Sequence, residues 1–216
     1  MARIAFIQNL SYEYLGVMYL SSELKKSGHR VEVFIENGRG FKRLSDEIGR
    51  FSPDLLAFSC ITGSHPWVIS AANILKKTCP EAKVILGGPH ATFFPDVISQ
   101  GPVDMICRGE GEGAICELAG AIDRRMDYSR IANLWVKDDS GHIVKNDIRP
   151  LISDLDSISF PDRGLYGDKY PYMRKSQKVF ITGRGCPFSC SFCFNHAFNA
   201  LYAGKGVPVR WRSAEN

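Results

Sequence analysis

From Arg3 to about Arg125, short β-branched or apolar runs alternate with longer amphipathic ones, and this alternation constrains the fold more than any other feature. It is the signature of βαβ units, in which parallel strands are joined by crossover helices. The expected strands are Ile4 to Ile7, Val31 to Ile35, Leu55 to Ser59, Val84 to Leu86 and Val103 to Cys107. Helical patterns lie at about 13–26, 41–50, 67–78, 94–100 and 112–124, with Gly28 placed to close the first as a C-cap. The five strands and five helices predict an α/β domain over residues 1–125, a doubly wound five-stranded parallel sheet of flavodoxin or Rossmann-like type.

Sheets of this kind bind ligands at the carboxyl ends of their strands, so the loops after those strands are the candidate site. Ser59-Cys60-Ile61-Thr62-Gly63-Ser64-His65 follows the third strand, Gly87-Gly88-Pro89-His90 the fourth, and Arg108-Gly109-Glu110-Gly111-Glu112-Gly113 the fifth. Glycine lets a backbone approach a bulky ligand closely, and Ser59 and Thr62 can donate hydrogen bonds. Any one loop reads equally well as a tight strand-to-helix turn; three on one edge favour a ligand. Glu110 and Glu112 also suit a helix N-terminus, where the dipole stabilises carboxylates. The alternating Gly109, Gly111 and Gly113 follow the fifth strand, whereas a dinucleotide fingerprint opens a helix after the first, so nicotinamide binding is disfavoured.

Residues 126–175 read as a connector. Ala132 to Lys137 and His142 to Lys145 flank Asp138-Asp139-Ser140-Gly141, the pattern of a β-hairpin with a polar turn. Leu151, Ile152, Leu155, Ile158, Phe160, Leu165 and Tyr166 then recur as apolar anchors that a flexible linker would not need.

Next comes an apolar run, Val179-Phe180-Ile181-Thr182, expected as a strand, then Gly183-Arg184-Gly185 and Cys186-x-x-x-Cys190-x-x-Cys193. A cubane iron–sulfur cluster needs thiolates converging from one short loop, and these gaps let the chain curl round it. Three thiolates leave one iron open. Zinc is the competing metal, with His196 as a fourth ligand, although structural zinc sites are normally closed by paired couples. Arg184 reads as a turn residue with no catalytic role, and Phe192 as an apolar cover for the cluster. Cys60, Cys79, Cys107 and Cys116 stand alone in apolar segments, as buried thiols do. Val209 to Arg212 reads as a second short strand, and Ser213 to Asn216 as the cap of a further helix.

Residues 1–125 resemble the cobalamin-binding domain found ahead of many radical S-adenosylmethionine enzymes. The resemblance rests on Ser59-Cys60-Ile61-Thr62, on Gly87 to Thr92 and on Arg108-Gly109-Glu110-Gly111-Glu112; Leu155 to Arg163 resembles the bridge between that family's two domains. It implies cobalamin contacts from Ser59, Thr62, Gly63, Gly87, Gly88, Pro89, His90, Gly109 and Glu110. The Asp-x-His-x-x-Gly motif, whose His ligates cobalt in the methionine-synthase type of cobalamin domain, is missing after the first strand, where Gln8-Asn9-Leu10-Ser11-Tyr12 stands, so no His ligand is expected from that loop. His65 and His90, near the same edge, are not expected as cobalt ligands either.

The resemblance further implies a 4Fe–4S cluster on Cys186, Cys190 and Cys193, with S-adenosylmethionine chelating the open iron and its adenine against Phe192. Reductive cleavage would release a 5′-deoxyadenosyl radical for methylation or cyclisation, fed by an electron donor such as flavodoxin or ferredoxin. Residues 176–216 would then be the first strand and cluster loop of an incomplete (β/α) barrel, in a chain truncated soon after the motif and inactive alone. A separate chain supplying the rest of the barrel would be a partner. A non-catalytic cobalamin-binding carrier is the alternative reading.

Composition excludes other classes. The 216 residues are 44% hydrophobic and 23% charged, enough to bury a core, and the net charge of +4 is scattered, so nucleic acid is not implied. No run approaches the ~18 apolar residues of a membrane span. The N-terminal apolar run is too short for an export signal, and a cytoplasmic setting is expected.

Overall fold

The computed structural model describes residues 1–38, 40–173 and 178–216. The five expected strands form as β1 (Arg3–Gln8), β2 (Arg30–Ile35), β3 (Leu55–Ser59), β4 (Lys83–Gly87) and β5 (Met105–Cys107). All four pairings among them are parallel. Their order, β2-β1-β3-β4-β5, is the flavodoxin order, with the topological switch point between β1 and β3. Strand residues alternate between two cores, because successive side chains leave opposite faces. Ile4 and Phe6 pack under α1 (Leu15–Lys26) and α5 (Glu112–Arg124), while Ala5 and Ile7 pack under α2 (Phe41–Phe51) and α3 (His65–Thr78).

The helix expected at 94–100 is displaced. The chain turns directly out of β4 into α4 (Gly88–Phe93), because Gly88 takes a left-handed φ of +88° and Pro89 occupies the first turn. Phe94, ahead of Pro95, is forced out of the helical region (φ −124°, ψ 62°), so Pro95–Ser99 resumes only as a 3₁₀ turn. Val103 is buried but joins no ladder; the Asp104 side chain accepts from the Val84 amide at 2.7 Å and ends the pairing there.

The sheet has seven strands rather than five. The hairpin forms as β6 (Leu134–Lys137) and β7 (Ile143–Lys145), and β6 runs antiparallel to β5. It caps the edge that β5 would otherwise leave unpaired. The bridge from Leu155 to Arg163 packs on α1: Leu155 and Ile158 bury against Tyr19, and Asp162 meets Ser21 (2.7 Å) and Lys25 (2.6 Å). It also holds the C-terminal residues, since Arg212 donates to the Ile158 carbonyl at 2.9 Å. A short α6 (Gly164–Gly167) follows, with Tyr166 fully buried.

The run Val179 to Thr182 forms no strand. Its first three side chains are exposed, and Thr182 O accepting from Arg212 N is its only ladder-like bond among the described residues. The strand begins one residue later, as β8 (Gly183–Arg184), and pairs antiparallel with β9 (Arg210–Trp211), where a barrel's opening strands would run parallel. The glycine permits this: a Cβ on Gly183 would sit 2.7 Å from the Trp211 ring. Between them lies α7 (Asn195–Leu201). The expected boundary at 175 and 176 lies outside the described residues. No helix among the described residues is long and apolar enough to cross a membrane.

Candidate functional site

A cavity of about 500 Å³ opens over the carboxyl ends of β1, β3, β4 and β5. Phe6, Ala57, Phe58 and Ile85 form its floor, and Leu15, Gly16 and Leu20 of α1 line one side. The facing wall is the segment around the cysteines: Ile181, Gly183, Arg184, Gly185, Phe194 and Phe198. The switch point, where ligands of such sheets bind, is therefore roofed by the cysteine-bearing part of the chain.

Five of the expected contacts, Ser59, Gly87, Gly88, Gly109 and Glu110, line this cavity. Thr62, Gly63, Pro89 and His90 are not among its lining residues. Thr62 and His90 are engaged with each other (Oγ1 to Nδ1, 3.1 Å), and the buried His90 ring is stacked between His65 (4.3 Å) and Phe94 (5.2 Å). Burial, reinforced by the neighbouring imidazole, lowers the His90 pKa and keeps the ring neutral. Gly88 is required by loop packing, since a Cβ would stand 2.8 Å from the Cys60 carbonyl oxygen.

Gly109 and Glu110 border the cavity but are committed to protein contacts. Gly109 has a φ of +75°, donates its N–H to Thr92 Oγ1 (3.1 Å), and leaves room that a Cβ would take from the Tyr202 hydroxyl. The Glu110 N–H donates to that hydroxyl at 2.8 Å. Glu110 Oε1 accepts from Arg184 and Arg210, both at 3.0 Å, and Oε2 from the Ile152 amide (2.9 Å) and Arg210 (3.1 Å). Arg184 also reaches Glu112 Oε1 at 2.5 Å. The loop after β5 thus grips β8 and β9 through two carboxylates and two guanidinium groups.

Burial alone would raise the Glu110 pKa, but the Arg210 and Ile152 hydrogen bonds and the Arg184 charge outweigh it and lower the pKa. A depressed carboxylate stabilises the fold fully above its unfolded pKa and loses that contribution as pH falls through the folded value. Glu110's share of the grip is expected to be complete above the ordinary glutamate pKa of about 4.3 and to fade in the acid range below it. Amide exchange at 183–184 and 210–211, corrected for intrinsic rates, should accelerate in that range before exchange in β1 and β3 does.

Among the described residues, no histidine lines the cavity. Gln8 pins the β1–α1 loop, donating to the carbonyls of Leu10 (2.5 Å) and Tyr12 (2.8 Å) and accepting from the buried Tyr166 hydroxyl (2.7 Å). Cys186 and Cys193 are half-buried and Cys190 is exposed, all three as free thiols on one loop. That donor set suits an iron–sulfur cluster, but the thiols stand apart: among the described residues, no three His, Cys, Asp or Glu side chains converge as a metal site. His196 turns its Nδ1 to the Cys193 carbonyl oxygen at 2.5 Å. Phe192 is 92% exposed and is not among the residues that line the cavity.

Arg184, Arg210 and Tyr202 are absent from the expected site. Two carboxylates in a Gly-Glu-Gly-Glu-Gly run on a sheet edge signal a need for buried cations, but their distance in sequence hides which arginines answer it.

A flavodoxin-order sheet with an apolar cavity over its switch point defines a cofactor-binding domain, here with a second segment folded across the ligand edge. The B12 binding domain model matches residues 10–119, and the chain belongs to that family. The anaerobic magnesium-protoporphyrin IX monomethyl ester cyclase of Rubrivivax gelatinosus is 33% identical over 193 residues (84% of this chain, 35% of that protein). The cobalamin-dependent radical SAM methyltransferase TokK of Streptomyces tokunonensis is 31% identical over 152 residues (67% of this chain, 22% of that protein). The cobalamin-dependent S-adenosylmethionine radical enzyme OxsB superposes with a TM-score of 0.79 at 18% identity, over 100% of this chain and 30% of that one. The radical S-adenosylmethionine methyltransferase TsrM of Kitasatospora setae gives 0.70 at 19%, over 99% and 43%. These two structures share the fold. The chain spans about a third of the length of the two cyclases it matches at 33% and 34% identity. It is a cobalamin-binding domain related to radical S-adenosylmethionine methyltransferases and cyclases.

Proposed function

We propose that this chain is the front part of a cobalamin-dependent radical S-adenosylmethionine enzyme of the methylating or cyclising kind. The observation that carries the reading is the shared cavity, with the sheet's ligand edge on one side and the segment around Cys186, Cys190 and Cys193 on the other. Residues 1–125 would hold cobalamin, 126–175 would connect, and 176–216 would begin the radical core. When bound, cobalamin supplies a transferable methyl group or redox-active cobalt, and a 4Fe–4S cluster supplies the electron that opens S-adenosylmethionine.

The chain's own part is placement. Ser59 and the backbone at Gly87 and Gly88 border the cavity on the β3 and β4 side, and Phe6, Leu15 and Leu20 give it an apolar lining on which the cofactor would rest. Cys186, Cys190 and Cys193 would swing together to hold three irons, with S-adenosylmethionine on the fourth and its adenine against Phe192. A low-potential flavodoxin or ferredoxin of the cytoplasm would be the donor, and the rest of the barrel would come from further chain or a separate one. The alternative is a carrier that only binds cobalamin.

The test is anaerobic reconstitution of the chain with iron, sulfide and cobalamin. Stoichiometric cobalamin uptake, with a reduced-cluster paramagnetic signal that shifts on adding S-adenosylmethionine, is expected. Cobalamin uptake without that shift supports the carrier; no cobalamin uptake overturns both.

A further inference from the structure

The geometry points to Arg184 as the positioning residue of the cysteine loop: Glu110 and Glu112 hold its guanidinium and thereby set where Cys186 enters that loop above the cavity. The inference rests on the reading of that loop as the cluster site and names the device that places it.

Three observations converge on Arg184. Its side chain is largely buried, bonded to Glu110 at 3.0 Å and Glu112 at 2.5 Å, with the Tyr19 ring 5.5 Å away on α1. Both carboxylates belong to the loop and first turn after β5, the rigid edge of the cofactor domain. Rigidity at the grip becomes rigidity at the thiol, because Arg184 stands only two residues before Cys186. The residue between them, Gly185, turns sharply at φ +87° beneath the Pro208 carbonyl, where a Cβ would collide. The direction in which the chain leaves Arg184 is thus dictated by backbone packing.

The partner strand is anchored to the same acid. Arg210, opposite Arg184 in the β8–β9 pairing, bonds Glu110 and the Ile152 carbonyl (2.7 Å). One carboxylate therefore holds both strands of the small sheet. Beyond Cys186, Asn199 Nδ2 donates to the Cys186 carbonyl at 3.1 Å, fixing the exit of the same residue from α7. The backbone at Cys186 is thus fixed before and after the residue, while Cys190 is exposed and its carbonyl accepts from Cys193 N at 3.1 Å. The loop is anchored through the backbone of its first cysteine and exposed at its second. A bidentate guanidinium suits this role better than an ammonium, because its fork can satisfy two carboxylates in one fixed plane.

The test compares the full chain with Arg184→Gln and Arg184→Lys, without metal first. Two quantities are read: amide exchange by segment, and alkylation rates of the individual cysteines. In Arg184→Gln, Cys186 alkylation and exchange at 183–186 should rise roughly tenfold while β1, β3 and β4 keep their protection, as for opening of one local unit. Arg184→Lys should fall between. Unchanged Cys186 alkylation overturns the assignment, and so does equal loss of protection across the sheet, which would mark Arg184 as a stability residue only. A second arm loads iron and sulfide. If the unaltered chain holds no cluster while the first arm behaves as expected, the cluster reading fails and the positioning role of Arg184 stands.

Discussion

Replacing Glu110 with alanine should release the cysteine-bearing segment from the sheet at a cost of about 3–5 kcal/mol, the range for removing one partner of a buried ion pair. The size follows from what remains. Among the described residues, Arg210, whose side chain is only 5% exposed, would keep two carbonyl partners and no counter-charge, and Arg184 would keep Glu112 as its carboxylate partner. Glu110→Gln should cost less, because the amide oxygen still accepts from a guanidinium and from Ile152 N. Denaturant titration read by exchange at 183–184 and 210–211 measures both. A loss below about 1 kcal/mol for the alanine would mean that water reaches Arg210 and that the grip resembles an exposed surface pair.

The second large effect is expected at Gly109. An alanine there must hold a left-handed backbone, costing about 1–2 kcal/mol, and must also displace Tyr202. Tyr202 is 1% exposed, and driving it out forfeits about 1.5–3 kcal/mol of apolar burial along with the acceptor of the Glu110 N–H. The two causes separate in a double-mutant cycle. Tyr202→Phe removes the oxygen that the new methyl group would strike, so Gly109→Ala should cost less in that background, with a coupling energy of about 0.5–3 kcal/mol. Additive effects would show that the hydroxyl is not what excludes a side chain there, leaving the backbone angle and the ring carbons, which a Cβ would approach to 2.8 Å.

Both experiments address residues that carry different meanings in the sequence and in the fold. Read along the chain, Gly109 and Glu110 look like a ligand loop, because glycine and carboxylate after a strand commonly face a cofactor. In the folded molecule they face Tyr202, Arg184 and Arg210, the last of these 100 residues away. The same holds for Thr62 and His90, which satisfy each other. Ser59, Gly87 and Gly88 do border the cavity, as their position at strand ends requires, since the C-terminal edge of a parallel sheet is defined by strand order alone.

Residues 94–100 show a different limit. The apolar pattern there is helical, but a proline after Phe94 and a glycine able to turn at once out of β4 move the helix forward to Gly88–Phe93. The hairpin was legible as a hairpin, yet nothing in its alternation says which edge it extends. That choice belongs to β5, whose outer hydrogen bonds needed a partner.

By itself, the sequence determined the βαβ periodicity, the five parallel strands, the loops that meet at their carboxyl ends, and the three thiols at a spacing suited to one cluster. These are local properties, written in residues a few positions apart. Only the tertiary structure decided that the cysteine segment roofs the cavity and that Glu110 serves as its anchor. Burial of a charge depends on what arrives from far along the chain, and two arginines at 184 and 210 become partners of one carboxylate only after the sheet has placed it.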